Sequence, residues 1–123
     1  MGEETRFVSA FKEKLNRIPG ACFTKVAQKV TRGDPDLWGH INGVAVYIEA
    51  KTNTRKLTKL QAIKLNRLRA TGALCFVVRP DNQEQVLEFL TTLGNGGYAD
   101  EYEAAVGEAI TKSIKESSNK EKG

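Results

Sequence analysis

The stretch Asp34-Pro35-Asp36-Leu37-Trp38-Gly39-His40-Ile41-Asn42-Gly43-Val44-Ala45-Val46-Tyr47-Ile48-Glu49-Ala50-Lys51 decides how this chain is read. Asn-Gly between two apolar runs is the strongest short-range signal for a two-residue hairpin turn. With Asn42 and Gly43 at the turn, Ile41 faces Val44, Leu37 faces Ile48, and Asp36 comes opposite Glu49. The period of two in a strand then sorts the side chains. One face collects Leu37, Gly39, Ile41, Val44, Val46 and Ile48 and reads as core. The other collects Asp36, Trp38, His40, Ala45, Tyr47, Glu49 and Lys51. Like charges directly opposed across a ladder cost up to ~1 kcal/mol in water, so a cation between Asp36 and Glu49 would account for the pair. A hard divalent ion fits, and Mg²⁺ takes only one or two protein carboxylates while keeping its waters for a phosphate. Lys51 projects toward the same place. From the residues alone, the other reading is a solvated strand face on which Lys51 is a surface ion-pair partner.

Outward from the hairpin, residues from about Glu4 to Arg17 read as an amphipathic helix, because Phe7, Val8, Phe11, Leu15 and Ile18 recur at helical spacing before Pro19-Gly20. Glu4 lies on that stripe. A favourable charge in the first helical turn is sufficient reason for an acid there. Ala21 to Val26 reads as a short strand, followed by a polar stretch from Ala27 to Gly33. After Lys51, a loop from Thr52 to Leu57 leads into a helix that Thr58-x-x-Gln61 opens as a capping box and Gly72 closes. The caps and length of that helix are clearer than its amphipathicity. Ala73 to Val78 is a continuous apolar run of the kind found in buried strands. Helices over about Asn82 to Leu93 and Asp100 to Ile114 follow. The expected domain spans residues 1–116, with a disordered polar tail over 117–123. The order of helix, three strands, helix, strand and two helices predicts an α/β fold, a mixed sheet flanked by helices.

With 123 residues and a formal charge of +4, the chain has room for one core and permits a polyanionic partner without requiring one. The distribution says more: Lys51, Arg55, Lys56, Lys59, Lys64, Arg67 and Arg69 follow one another with no acid among them, whereas Glu84 to Glu108 is acidic. Cys22 and Cys75 fall in apolar runs and form no metal or disulfide pattern, so both are expected to behave as small buried hydrophobes. No apolar run approaches the ~18 residues of a membrane span. Arg6 stands where a myristoylation motif opening on Met1-Gly2 needs Ser or Thr. A soluble, cytoplasmic protein is the expectation, in the host cytoplasm if the source is viral.

Gly33-Asp34-Pro35-Asp36-Leu37, Asn42-Gly43, Tyr47-Ile48-Glu49-Ala50-Lys51, Leu57-Thr58-x-x-Gln61 and Gly72-Ala73-x-x-x-Val77-Val78, in this order, resemble the virus-type replication-repair nuclease (VRR-NUC) family of the PD-(D/E)xK superfamily. The resemblance spans about Glu4 to Val78 and is that of a small stand-alone, phage-like member. It implies a restriction-endonuclease-like core with extra C-terminal helices. It also implies Mg²⁺ or Mn²⁺ held by Asp36, Glu49 and the main-chain carbonyl of Ala50, with Glu4 completing or supporting the site. Lys51 matches the lysine that orients or deprotonates the attacking water, and Gln61 the glutamine of the following helix. The implied reaction leaves 5′-phosphate and 3′-hydroxyl ends. Small members are implied to be homodimers that cut branched DNA such as four-way junctions.

Arg32, Arg55, Lys56, Lys59 and Lys64, with Lys29, are candidates to track DNA phosphates, which would make binding steeply salt-dependent. An ordinary solvated helix face is the other reading of the same residues. Trp38 and Tyr47 are expected to face each other, either as cross-strand packing or as a platform for a base. His40 is left outside the chemistry because Lys51 already fills the role. The rival from another class is a nucleic-acid-binding module with a nuclease-like fold and no turnover, which an interrupted acid-acid-lysine set would signal; here the set is intact. A restriction-type enzyme would need recognition elements for which little chain remains.

Overall fold

A computed structural model describes residues 2–26 and 33–96. Seven elements follow in order: α1 (Glu3–Leu15), β1 (Ala21–Lys25), β2 (Leu37–Ile41), β3 (Val44–Ala50), α2 (Lys59–Ala70), β4 (Leu74–Val78) and α3 (Gln83–Gly94). The helix expected over Asp100 to Ile114, the polar tail, Lys29 and Arg32 lie outside the described residues.

The hairpin has the register that the sequence predicts. Ile41 pairs with Val44, Gly39 with Val46 and Leu37 with Ile48, antiparallel. The turn works because Asn42 (φ 50°) and Gly43 (φ 83°) both take positive φ, as the tight hairpin turn matched to strand twist demands. Burial enforces the register. Leu37, Ile41, Val46 and Ile48 are fully buried, and a slip of one residue would turn all four to the opposite face at about 1.5–3 kcal/mol each.

The sheet runs β1-β2-β3-β4. The first three strands are antiparallel, and β4 pairs parallel to β3 through the α2 crossover, with Ile48 beside Phe76 and Glu49 beside Val77. One face, with Phe23, Leu37, Ile48 and Phe76, packs on Val8, Phe11 and Leu15 of α1 and on Val86, Leu90 and Leu93 of α3. Every residue of β4 is buried, as expected of a strand covered on both faces. The tip of the hairpin is stitched to α3, since the Asn42 amide Nδ2 donates to the carbonyls of Leu93 (3.3 Å) and Gly94 (3.0 Å). These are among the carbonyls that a helix C-terminus leaves without an intrahelical partner.

One expectation fails. Cys75 is buried, but Cys22 is exposed. Cys22 alternates with the buried Phe23 on β1 and so stands on the other face, opposite the exposed His40. An apolar run on an edge strand does not imply that both of its faces are covered.

Candidate active site

The open end of the hairpin gathers the chemistry. Main-chain pairing of β2 with β3 stops at Leu37 and Ile48, and Asp36 extends the ladder with its side chain, Oδ2 accepting the Ala50 N–H at 2.9 Å. The Asp36 carbonyl meanwhile accepts from Val26 N–H at 2.9 Å. The residue expected opposite Glu49 is therefore held one position further on, against the peptide that joins Glu49 to Ala50.

Glu49 and Lys51 are the two charged side chains that the fold buries among the described residues, at 2% and 3% exposure. Both lie at the C-terminal end of β3, and the Lys51 N–H donates to the Val78 carbonyl at 2.9 Å. Charged groups are buried at a cost of several kcal/mol each unless local partners offset it. Gln61 is one such partner. Its Oε1 accepts from Thr58 N–H (2.9 Å), Thr58 Oγ1 accepts from Gln61 N–H (3.1 Å), and its Nε2 donates to Glu49 Oε1 at 3.1 Å. A single side-chain amide thus caps α2 and aims the buried carboxylate.

The Asp34-Pro35-Asp36 segment is fastened to the same helix. Gly33 (φ +89°) lies so close to α2 that a Cβ would come within 2.6 Å of the Leu60 carbonyl oxygen, and Lys64 pairs with Asp34 at 3.3 Å. Of the predicted phosphate contacts, Lys64 therefore has a structural role, while Lys56 and Lys59 are exposed. Arg55 reaches back to α1 and pairs with Glu4 at 2.8 Å. Glu4 is thus engaged by a guanidinium, and among the described residues no three His, Cys, Asp or Glu side chains gather as a metal site. Trp38 and Tyr47 are cross-strand partners, and Trp38 is 45% exposed.

Sequence reasoning missed the support of the loop after Lys51. Arg79, at the end of β4, donates from Nη1 to the carbonyls of Thr52 (2.6 Å) and Arg55 (2.5 Å). Asn53 Oδ1 accepts the Asp81 N–H at 3.1 Å. In the sequence, Arg79-Pro80 signals only the end of a strand.

A mixed sheet with helices on both faces, carrying two acids and a lysine at the open end of its central hairpin, defines a nuclease-type domain of the restriction-endonuclease-like class. Among solved structures the chain is similar to one described as a VRR_NUC domain, with a TM-score of 0.61 and 27% identity over 72% of this chain and 97% of that one. No family model matches the sequence, and no curated protein does. The structural likeness supports assigning the chain to the VRR-NUC family. No helix among the described residues is long and apolar enough to cross a membrane.

Proposed function

We propose that the chain is a metal-dependent endonuclease that hydrolyses DNA phosphodiester bonds with a preference for branched structures such as four-way junctions. The observation that carries the reading is the burial of Glu49 and Lys51 together beside Asp36. A fold that needs only packing would place apolar groups there at less cost. The donor set suits a hard cation: the carboxylates of Asp36 and Glu49 and the carbonyl of Ala50 are all oxygen, and one or two carboxylates suffice for Mg²⁺, or for Mn²⁺ in its place. Bound there, such an ion would supply a polarised water and charge neutralisation at the phosphate.

The chain's own residues do the rest. Lys51 brings an ammonium to the attacking water and the phosphate, orienting the first and offsetting the charge of the second. Gln61 holds one oxygen of Glu49, leaving a fixed carboxylate rather than a rotating one. The Ala50 N–H holds Asp36. Glu4 supports the site through Arg55. Lys56 and Lys59 extend a basic path along the start of α2, continuous in sequence with Arg55. A homodimer would present two such sites to opposed strands of a junction.

The test is cleavage of labelled single-stranded, duplex, flap and four-way-junction DNA in Mg²⁺, Mn²⁺ or EDTA, beside Lys51→Ala. Metal-dependent cutting that the variant loses is expected, with junctions preferred. Tight binding without cutting in any metal would instead favour a binding module.

A further inference from the structure

We propose that a second phosphate-binding cleft lies on the opposite side of the sheet from the two acids, between α1 and the edge strand β1, and holds the backbone of a DNA segment other than the one being cut. This inference rests on the nuclease reading above.

The cleft has a volume of about 510 Å³ and is lined by Ser9, Lys12, Glu13, Asn16, Arg17 and Lys25. Ser9, Lys12, Glu13 and Asn16 recur at helical spacing, so they form one polar stripe of α1 beside the buried Val8, Phe11 and Leu15 stripe. The stripe is fixed against the strand. Asn16 Oδ1 accepts the Phe23 N–H at 2.8 Å and its Nδ2 donates to the Phe23 carbonyl at 3.4 Å.

That pair of bonds also sets the direction of the main-chain groups. The N–H and carbonyl of Phe23 point away from β2, toward the cleft. In an antiparallel ladder, residues two apart point their hydrogen-bonding groups the same way. The Ala21 N–H donates outward to the Ile18 carbonyl at 3.1 Å, in keeping with this alternation. The Lys25 N–H is therefore directed to the same open side, next to its own ammonium. Lys25 shares the core-side face with Phe23 and is half-buried.

Three cations and one acid line the cleft, and none of Lys12, Arg17 and Lys25 forms an ion pair with a described residue. Three cations against the single acid Glu13 leave the cleft with a net positive charge, and an anion relieves the repulsion among them. A phosphodiester fits this chemistry: its two non-bridging oxygens match two lysines, while Ser9 supplies a hydroxyl. The location favours a polynucleotide. Lys25 precedes Val26, whose N–H is bound to the Asp36 carbonyl, so the cleft ends one strand away from the acids, across the sheet edge. A strand that turns around this edge reaches both places, which a branched substrate can do and a short straight duplex centred on the acids cannot.

The experiment is equilibrium binding of a four-way junction and of a short duplex in EDTA, over a salt series, with wild type, Lys25→Gln, Lys12→Gln and Lys14→Gln. Lys14 is the control, being a cation of the same helix that meets Gln83 of α3 at 3.3 Å instead of the cleft. The expected result is several-fold weaker junction binding by Lys25→Gln and Lys12→Gln, with the salt slope reduced by about 0.9 for each phosphate that the variant no longer neutralises. Short-duplex binding and Lys14→Gln should be unaffected. Thermal melts of each variant separate this from unfolding. An effect of equal size in Lys14→Gln would reduce the cleft to net charge and overturn the proposal, as would junction binding unchanged in both cleft variants. Short-duplex binding weakened as much as junction binding would overturn the second-segment assignment. Failure of the nuclease reading is seen separately, as no cutting of any substrate in Mg²⁺ or Mn²⁺, and failure of its site assignment as cutting that survives in Lys51→Ala.

Discussion

The two ends of the β2–β3 hairpin are built from the same ladder and finished in opposite ways. At the closed end, Asn42 takes a positive φ, and its amide caps α3. Its polar groups satisfy neighbouring main-chain groups, so the site is structural. At the open end, Asp36, Glu49 and Lys51 bring three formal charges into or beside the interior, and Gly33, Asp34 and Gln61 are arranged around them. The closed end minimises unmet polarity, whereas the open end maintains charge at a cost. Where a fold carries such a cost beside residues suited to phosphate chemistry, function is the economical explanation.

The comparison is broken most severely at the open end. Lys51→Met should lower cleavage by about 10²- to 10⁴-fold, while the double variant Glu49→Gln/Lys51→Met should melt no lower than wild type, since it removes the desolvation cost of two buried charges. Turnover and melting curves of the two variants check this. A double variant that unfolds would mean that the charges are structural. The reverse pattern is expected at the closed end: Asn42→Ala loses two hydrogen bonds and keeps an unfavourable φ, destabilising the fold by about 1–3 kcal/mol with turnover per folded molecule unchanged. Chemical denaturation paired with an active-site titration reads both.

Smaller effects sharpen the boundary between the two. Arg79→Lys keeps the charge but loses the planar Nη1 donor, held at the end of the longer side chain, that meets the carbonyls of Thr52 and Arg55. We expect KM to rise several-fold with kcat nearly constant, and its effect should be non-additive with Arg55→Ala because both act through the same loop. Additive losses in that double-mutant cycle would count against the loop as the shared element.

The smallest effects concern the cysteines. Iodoacetamide should modify Cys22 in the native protein and Cys75 only after unfolding. Burial pushes the Cys75 thiol from 9.0 up to about 12, with Arg69 pulling weakly the other way. The folded state then keeps a proton that the unfolded chain releases, so this stabilisation is complete below pH 9.0 and declines from there to about pH 12. Urea midpoints across that range should fall less steeply in Cys75→Ala.

What could be read in advance followed the range of the forces involved. The hairpin register was legible because Asn-Gly and the period of two are local, and the capping box because Thr58 and Gln61 are three residues apart. The second use of Gln61, toward Glu49, required α2 to be laid over β3. The ion pairs of Glu4 with Arg55 and of Asp34 with Lys64 join segments distant in sequence, and no spacing rule announces them. The weak amphipathicity of α2 has a related origin. Only Ala62 and Leu65 of that helix are fully buried, because Gln61 and Lys64 on its inner side meet Glu49 and Asp34 rather than core. The exposure of Cys22 was missed because nothing local says which face of a strand the rest of the fold will cover; its neighbours Trp38 and His40 on the interior strand β2 are exposed on the same side.

The Asn16 amide has one more consequence. An edge strand with open main-chain groups is a template on which another chain can pair, and edge-to-edge pairing of this kind leads to aggregation. By occupying both groups of Phe23, Asn16 interrupts the template at the middle of β1. An incoming strand could find at most a residue or two in register on either side. Substitution of this surface amide should therefore reveal itself less in the melting temperature than in light scattering on prolonged storage.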